Sequence, residues 1–206
     1  HVIGVAAKKK NVGDTTVFHA EDETNMTFLG IIAFLDPPKP DAKEAIRGLY
    51  DAGVHVKVIS GDAPVVVEHV CKLVGMKVGD QKAVTGSDLE NMSDLELSSV
   101  VEKNDIFARL SPMQKKRVVD ALRNNGHVVG YMGDGVNDAP SLHDADVGIS
   151  VDNATDVAKA SADIILLEKS LTVILNGIYE GRRIYGNILK YMKMALSSNF
   201  GNVFSV

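Results

Sequence analysis

Short apolar runs alternate along the chain with longer amphipathic stretches, and this alternation predicts strands separated by helices. The strand candidates are Phe28 to Leu35, His55 to Ile59, Asp105 to Ala108, His127 to Met132, Val147 to Val151 and Asp163 to Leu167. Because each run is almost continuously apolar, both of its faces are expected to be covered. The intervening segments are long enough for crossover helices, so the pattern predicts a parallel α/β sheet.

The amphipathic stretches predict helices near residues 64–75, 94–102, 112–125 and 154–160, and a first helix that begins after Pro38-Lys39-Pro40. Asp41 is the expected N-cap of this first helix, and Glu44 completes a capping-box-like pair with it. Gly53 is expected to end the helix. Its apolar face is predicted to consist of Ala42, Ala45, Ile46 and Leu49.

The two ends of the chain depart from this pattern. The run Val2 to Ala7 predicts a strand that pairs with a segment upstream of the sequence, because a polar stretch follows it. From Leu171 to Val206 no proline occurs and helical spacing continues, which predicts a helix of about 50 Å. No charge follows Lys193, and several cations precede it, which is typical of a membrane helix at its cytoplasmic flank. A buried core helix is the alternative interpretation.

Composition and charge narrow the classes of function. The 206 residues, of which 45% are hydrophobic and 24% charged, suffice for one sizeable core and exclude extended disorder. A net charge of −5 provides no general attraction for nucleic acid. Cys71 is the single cysteine and is expected to be a buried apolar residue, so a reducing compartment is the natural assumption. Residues 1–10 resemble neither a signal peptide nor a membrane anchor.

Polar loops follow three predicted strands at their carboxyl ends, where open α/β sheets bind ligands. Ser60-Gly61-Asp62 offers a hydroxyl, an approachable backbone and a carboxylate before a helix, although a plain strand-to-helix turn is the alternative. Lys115 and Lys116 lie near the start of the helix that follows Ser111-Pro112, where cations are disfavoured unless an anion is close. One lysine is therefore expected to face a phosphate, and a solvated ion pair is the alternative.

The most informative loop is Met132 to Pro140. Asp134, Asn137 and Asp138 are interleaved with glycines such as Gly133, and they offer the oxygen ligands that Mg²⁺ accepts while it shares a substrate phosphate. Turn chemistry is the alternative. Because these polar groups follow a buried strand and accompany two similar loops, the sequence favours a site for magnesium and phosphate.

Other candidates for chemistry are weaker. Asp144-Ala145-Asp146 has the spacing of a catalytic carboxylate pair, but it precedes a predicted strand and is interpreted as a solvated loop. The six histidines show no spacing that would pair metal ligands on one helix face.

Four motifs, in this order and spacing, resemble the P-type cation-transporting ATPases, whose phosphorylation domain is haloacid-dehalogenase-like. They are Asp36-Pro37-Pro38, Ser60-Gly61-Asp62, Ala108-Arg109 with Pro112 and Lys115, and Gly133 to Pro140. The likeness continues through Ala158 to Leu166 and the terminal helix, so it covers almost the whole chain. Within the family, Phe34 to Pro38 and Ser197 to Val206 look most like the bacterial magnesium-transporting members.

This resemblance implies a haloacid-dehalogenase-like α/β fold, in which a three-layer parallel sheet carries helices on both faces and a long carboxy-terminal stalk helix follows. It implies three parts: residues 1–26 end the nucleotide-binding domain and hinge, 27–170 form the phosphorylation domain without its nucleophile segment, and 171–206 form the stalk and the start of a transmembrane helix. Asp36, Pro37 and Pro38 would lie at the hinge, and Asn199 and Asn202 would match positions that line the ion path. The chain would lie on the cytoplasmic side of a plasma or bacterial inner membrane.

The same resemblance assigns roles to the loop residues. Lys115 would neutralise the transferred phosphate, Ser60 with the Gly61 backbone would bind its oxygens, and Asp134 would hold the catalytic Mg²⁺. The supporting residues would be Asp62, Gly133, Asn137 and Asp138, with Asp138 as a second metal-ligand candidate. The family more usually has threonine at position 60, but serine retains the hydroxyl. The full-length parent would use ATP to move a divalent cation, with Mg²⁺ favoured, through a phosphorylated aspartate.

The family's nucleophile motif, Asp-Lys-Thr-Gly, does not occur in the sequence. The chain is therefore expected to be a carboxy-proximal fragment that hydrolyses no ATP alone. Two alternatives stay open. A soluble haloacid-dehalogenase-like phosphatase would require Asp-x-Asp after an early strand, a spacing found only in the misplaced Asp144-Ala145-Asp146. A non-catalytic module would bind Mg²⁺ through the loop at Gly133 to Asp138.

Overall fold

The chain divides into two units, His1–Pro37 and Pro38–Val206. The structure, a computed structural model, describes residues 2–9, 19–33, 37–79, 81–168 and 170–204, with backbone alone for residues 22 and 201–204. Asp36 of the predicted hinge lies outside the described residues. Pro37 closes the first unit and Pro38 opens the second.

The first unit contains a two-stranded antiparallel ribbon. Strand β1 (Val2–Ala7) pairs with β2 (Thr27–Ala33), and the register shifts between Val5 and Ala6. The prediction that Val2–Ala7 pairs with an upstream segment is therefore wrong for this structure, as is the placement of the 28–35 run in the parallel sheet. An apolar run specifies a strand but not the direction or identity of its partner, which depends on a distant segment.

The second unit alternates strands and helices. Its strands are β3 (Val58–Ile59), β4 (Val84–Thr85), β5 (Ile106–Ala108), β6 (Gly130–Met132), β7 (Val147–Val151) and β8 (Ile164–Leu166). Its helices are α1 (Ala42–Asp51), α2 (Pro64–Leu73), α3 (Gly86–Glu90), α4 (Asp94–Lys103), α5 (Pro112–Asn124), α6 (Ala139–Asp144), α7 (Asp156–Ala160) and α8 (Leu171–Phe204). The sequence pattern does not predict β4, α3 or α6, because elements this short display no period.

The strands of the second unit are all parallel, as predicted, but their hydrogen bonds form two three-stranded sheets. The strand orders are β3-β5-β4 and β6-β7-β8. Helix α5 packs against both sheets. Val118 belongs to the core cluster that contains Phe107 of β5, and Val119 belongs to the cluster that contains Tyr131 of β6. Ile59, the last residue of β3, packs against both clusters. Ile59 of β3 thus packs against the same core cluster as Tyr131 of β6.

Helix α1 buries the predicted face and docks the long terminal helix. Ala42, Ala45, Ile46 and Leu49 are its buried residues, and Gly53 adopts a left-handed φ of 73° just after its end. Asp41 is the N-cap residue, as predicted, but the predicted capping box is wrong, because the Asp41 side chain makes no cap hydrogen bond. Asp41 Oδ2 instead accepts a hydrogen bond of 2.6 Å from Ser170 Oγ, immediately before α8. The carboxylate therefore joins two helices that are distant in sequence.

Helix α8 is the longest element, with 34 residues. Its first turn is half-buried, and most of its later side chains are exposed. Among the described residues, none of the helices combines the length and the apolarity needed to traverse a bilayer.

Candidate functional site

The loop after β6 is anchored by the next strand and helix. Gly133 N donates to Ile149 O at 3.1 Å, and the buried Ser150 Oγ donates to Gly133 O at 2.9 Å. Thr155 N, just before α7, donates to Asp134 O at 3.0 Å. These bonds hold the backbone of Asp134 while its exposed carboxylate accepts no hydrogen bond within the described residues.

Lys115 and Asp138 form a buried ion pair beside this loop. Lys115 Nζ donates to Asp138 Oδ1 at 2.7 Å, and the two side chains are only 11% and 13% exposed. A cation in the first turn of a helix requires a nearby anion, and Asp138 supplies it. Although burial acts to raise the pKa of Asp138, hydrogen bonds and charge attraction from Lys115, aided by Tyr131 and the Gly135 N–H, hold it below its ordinary value.

The neighbouring lysine has a different environment. Lys116 Nζ pairs with Asp120 at 2.8 Å and with Asp144 at 2.5 Å. The hydrogen bonds that the Lys116 ammonium donates to these carboxylates raise the pKa of Lys116. The alternative interpretation, a charge pair at the protein surface, therefore describes Lys116, whereas Lys115 is the lysine that meets the polar loop.

Gly133 is required by its close approach to Asp138. A Cβ at Gly133 would lie 2.5 Å from Asp138 Cβ and 2.9 Å from its Oδ2, so any side chain at 133 would displace the carboxylate. Gly135 N donates to Asp138 Oδ2 at 3.2 Å. Gly133 thus leaves room for the Asp138 carboxylate, and the Gly135 amide binds it.

The loop after β3 is bonded to the segment that precedes α5. Ser60 Oγ accepts from Asp62 N at 3.1 Å and donates to Asp62 Oδ2 at 3.0 Å, which closes a local turn. Arg109 N donates to Asp62 O at 2.9 Å, and Leu110 N donates to Ser60 O at 3.1 Å. The exposed Gly61 amide donates to no group of the described residues. The structure therefore joins the Ser60 loop to the start of the helix that carries Lys115.

Arg109 has a left-handed φ of 52°, which is uncommon for a residue with a side chain. Arg109 and the next residue, Leu110, donate their backbone N–H groups to the Ser60 loop, and such conformations concentrate at functional sites. Arg109 belongs to the motif Ala108-Arg109, but its conformation depends on contacts that a linear pattern does not contain.

Tyr131 is a site residue that the sequence interpretation missed. Its hydroxyl donates to Asp138 Oδ1 at 2.9 Å, and its side chain is buried in β6. Burial and the charge of Asp138 raise the pKa of Tyr131 well above its ordinary value, so it remains a neutral donor. One signal was available in the sequence: a tyrosine hydroxyl in a buried strand needs a hydrogen-bond partner.

The pair Asp144 and Asp146 lies at the opposite ends of the strands. Asp146 Oδ2 accepts from Val129 N just before β6, and its Oδ1 pairs with Arg123 at 3.1 Å. Asp144 is bound to Lys116. Both carboxylates hold structure at the amino ends of β6 and β7, so they do not provide the nucleophile that a phosphatase of this fold would need.

The donor set fits a hydrated Mg²⁺ better than a fully protein-bound ion. Across the described residues, no three His, Cys, Asp or Glu side chains converge to hold a metal. Mg²⁺ needs no such cage, because it retains water and binds through one or two carboxylates together with phosphate. Asp134 is available for this role, whereas Asp138 Oδ1 is already occupied by Lys115 and Tyr131.

Two other predicted residues with described side chains, Asn137 and Asn199, form no side-chain hydrogen bond with this network among the residues that the structure describes. Asn137 is exposed and forms no hydrogen bond within the described part of the chain. Asn199 is exposed near the end of α8, and Asn202 is described by its backbone alone. Their predicted roles stay predictions.

The chain is similar to several proteins that are named as cation-transporting ATPases. The magnesium-transporting ATPase, P-type 1, of Salmonella typhimurium strain LT2 is 54% identical over 206 residues, and that of Escherichia coli K12 is 51% identical over 207 residues. Each match covers 100% of this chain and 22% of the relative. The calcium-transporting ATPase of Bacillus subtilis is 37% identical over 202 residues, covering 98% of this chain and 23% of that protein. The chain thus spans less than a quarter of these relatives.

A solved structure and a family model agree with these relatives. The catalytic domain of the CPx-ATPase CopB-B superposes with a TM-score of 0.54 and 28% identity, over 73% of this chain and 48% of that one. The model for haloacid dehalogenase-like hydrolases matches residues 4–146. The resemblance inferred from four short motifs is therefore confirmed. The chain belongs to the haloacid dehalogenase-like hydrolase family, and throughout its length it is similar to one segment of the P-type ATPases.

Proposed function

We propose that this chain is the phosphate-binding part of an ATP-driven pump that forms an aspartyl phosphate and moves a divalent cation across a membrane. The observation that carries the proposal is the buried Lys115–Asp138 pair in the same loop region as the Asp134 carboxylate, which has no partner among the described residues. Mg²⁺ is the proposed cargo, because relatives named as magnesium transporters are 51–54% identical, whereas those named as calcium transporters are 37–38% identical.

Lys115 is suited to bind a phosphate without large movement. Its ammonium has three N–H donors, and Asp138 accepts one of them. The other two can donate to phosphate oxygens, and Asp138 keeps the ammonium in place before the substrate arrives. A fixed cation at the point where negative charge develops lowers the barrier to phosphoryl transfer.

The loop after β3 supplies neutral donors to the same phosphate. Gly61 offers a free amide, and the Ser60 hydroxyl can exchange its bond to Asp62 for a bond to a phosphate oxygen. Asp134 would hold Mg²⁺, which when bound neutralises phosphate charge and orients the transferred group. The attacking carboxylate has to come from outside these residues, because the sequence contains no Asp-Lys-Thr-Gly.

The same proposal extends to the arrangement of the parent protein. Residues 1–26 would end its nucleotide-binding domain and hinge, and 27–170 would form the phosphorylation domain. Residues 171–206 would form the stalk and the start of a membrane helix, with the ATP-using site on the cytoplasmic side. The division of the chain at Pro37 and Pro38 supports a hinge there.

The test uses the full-length protein that contains this chain, in membrane vesicles. We expect Mg²⁺-dependent ATP hydrolysis and an acid-stable phosphoenzyme. Lys115→Ala and Asp134→Asn should each reduce the rate by about 100-fold or more, as the loss of one fixed electrostatic contact does.

Lys116→Ala and Asp144→Asn are the matched controls. They remove an adjacent lysine and another carboxylate, which pair with each other and, among the described residues, with Asp120 and His143 respectively. Their rates should stay within about threefold of the wild type, as expected for surface ion pairs. A wild-type protein that forms no phosphoenzyme, or Lys115→Ala activity equal to that of Lys116→Ala, would overturn the proposal.

A further inference from the structure

Tyr131 and Lys115 donate to the same carboxylate oxygen from different elements. Tyr131 Oη in β6 lies 2.9 Å from Asp138 Oδ1, and Lys115 Nζ in α5 lies 2.7 Å from it. A carboxylate oxygen has two lone pairs in its plane, so these two donors fill both. Asp138 Oδ1 therefore has no lone pair left in that plane for another ligand.

The other side of the Asp138 carboxylate is confined by backbone. Gly135 N–H donates to Oδ2 at 3.2 Å, and Gly133 packs so closely that a Cβ there would lie 2.8 Å from Asp138 Cγ. With Tyr131 in place, the carboxylate can neither rotate freely nor turn both oxygens toward Lys115. The lysine is thereby limited to one Asp138 oxygen and keeps its other N–H groups for a ligand.

We propose that Tyr131 is a positioning residue for phosphoryl transfer, which orients Asp138 and through it directs the Lys115 ammonium toward the phosphate. This inference rests on the proposed function and adds to it a residue that never touches the substrate. Tyr131 is rigidly placed for this role, since its ring packs in the core cluster that contains Val119 and Leu142.

Tyr131→Phe isolates the hydrogen bond, because the ring and its packing remain. In the full-length protein we expect about tenfold weaker binding of orthovanadate in the presence of Mg²⁺ and a kcat about tenfold lower, with the KM for ATP unchanged. Tyr50→Phe is the matched control, because Tyr50 packs against a different core cluster, beside His55. It should change neither quantity.

A double-mutant cycle separates positioning from a general loss of structure. If Tyr131 acts through Asp138, adding Tyr131→Phe to Asp138→Asn should weaken orthovanadate binding no further. Full additivity of the two changes, or wild-type orthovanadate binding by Tyr131→Phe, would overturn the inference.

Failure of the proposed function would look different from failure of this inference. The first is the absence of a phosphoenzyme in the wild type. The contact between Tyr131 and Asp138, on which this inference depends, is tested independently by urea unfolding of the 206-residue chain. There, Tyr131→Phe and Asp138→Asn should destabilise non-additively if the hydrogen bond exists, and additive effects would contradict it.

Discussion

Gly48 of α1 lies directly against Leu175 of α8, so that a Cβ at position 48 would overlap the Leu175 Cδ2 methyl. Two polar contacts flank this approach. Ser170 donates to Asp41 at the start of α1, and Arg182 Nη1 donates to Ala52 O at its end, at 2.6 Å. Over residues 170–182, about three turns, α8 is therefore held along the whole of α1. A displacement of α1 has to carry the beginning of the long helix with it.

Gly48→Ala should weaken this docking by about 1 kcal/mol or less, because Leu175 Cδ2 is the end of a flexible side chain and alanine is a better helix former than glycine. Leu175→Ala should also destabilise the chain, through the cavity that it leaves. The double variant should be more stable than the sum of the two losses predicts, because the truncated Leu175 makes room for the new methyl group. Urea unfolding measures all three. If the losses in unfolding free energy of the two single variants simply add in the double variant, Gly48 and Leu175 are not in contact.

Lys115→Met should destabilise the chain by about 3 kcal/mol, because it leaves the Asp138 carboxylate buried without its cation. Adding Asp138→Asn should recover a large part of that loss, since no buried charge then remains. The measurement is the unfolding free energy of each variant at neutral pH. A double variant no more stable than Lys115→Met would contradict the ion pair.

The same pair predicts a dependence on pH. The pKa of Asp138 is lowered in the folded chain, so its contribution is present above the ordinary aspartate pKa of about 4 and is lost as pH falls below it. The difference in unfolding free energy between the wild type and Asp138→Asn should therefore shrink between about pH 5 and pH 2. A difference that stays constant over this range would contradict the prediction.

Cys71 should be unreactive in the native chain. Its side chain is 0% exposed, and burial raises the pKa of the thiol to about 11. At pH 8 the thiol should react with a disulfide reagent only as fast as the chain unfolds. Cys71→Ser should cost about 1–3 kcal/mol by burying a hydroxyl in an apolar cluster. Complete labelling of the folded chain within seconds would contradict this burial.

Arg117 should resist replacement by lysine. Its guanidinium donates to Leu89 O at 2.9 Å and Met92 O at 2.5 Å, and it also pairs with the exposed Asp94. Lysine cannot reproduce this fork, so Arg117→Lys should lose nearly as much stability as Arg117→Ala, about 1–3 kcal/mol. Asp94→Ala is the control and should cost less than about 1 kcal/mol, because only a surface ion pair is lost. The reverse order of these losses in urea unfolding would contradict the assignment.

Mg²⁺ should bind weakly to the chain by itself. Titration to millimolar Mg²⁺ should shift the amide resonances of residues 133–138, because the Asp134 carboxylate is exposed and has no partner in the described ranges of the chain. Asp134→Asn should abolish the shifts, whereas Asp144→Asn, at the other end of the strands, should preserve them. Unchanged amides in the wild type would show that this loop needs phosphate or the rest of the protein to bind the ion.

Much of the fold follows from local pattern. The run Val147–Val151 is a strand with the predicted bounds, the four predicted residues of α1 are buried, and the terminal helix begins at Leu171. These features depend on apolar spacing within one segment, which the sequence displays directly. The pairing of β1 with β2 was not predictable in this way, because the paired residues lie at least twenty positions apart in the sequence.

The partners of single side chains also depend on segments that are distant in sequence. Asp41 looked like a helix cap because it precedes α1, yet its carboxylate is bound by Ser170, 129 residues later. An aspartate before a helix can bond either to the backbone of the helix, as a cap, or to another partner. Here the packing of α8 on α1 brings the Ser170 hydroxyl close, and Asp41 bonds to it instead of capping.

The sequence by itself determined which chemical groups are available: hydroxyl, carboxylate and lysine side chains in loops that follow buried strands. Only the tertiary structure decided how they combine. Lys115 and Lys116 are adjacent and chemically identical, but a helix turns by about 100° per residue, so they project in different directions. Packing of α5 against the second sheet directs Lys115 to Asp138 and Tyr131 and leaves Lys116 to Asp120 and Asp144.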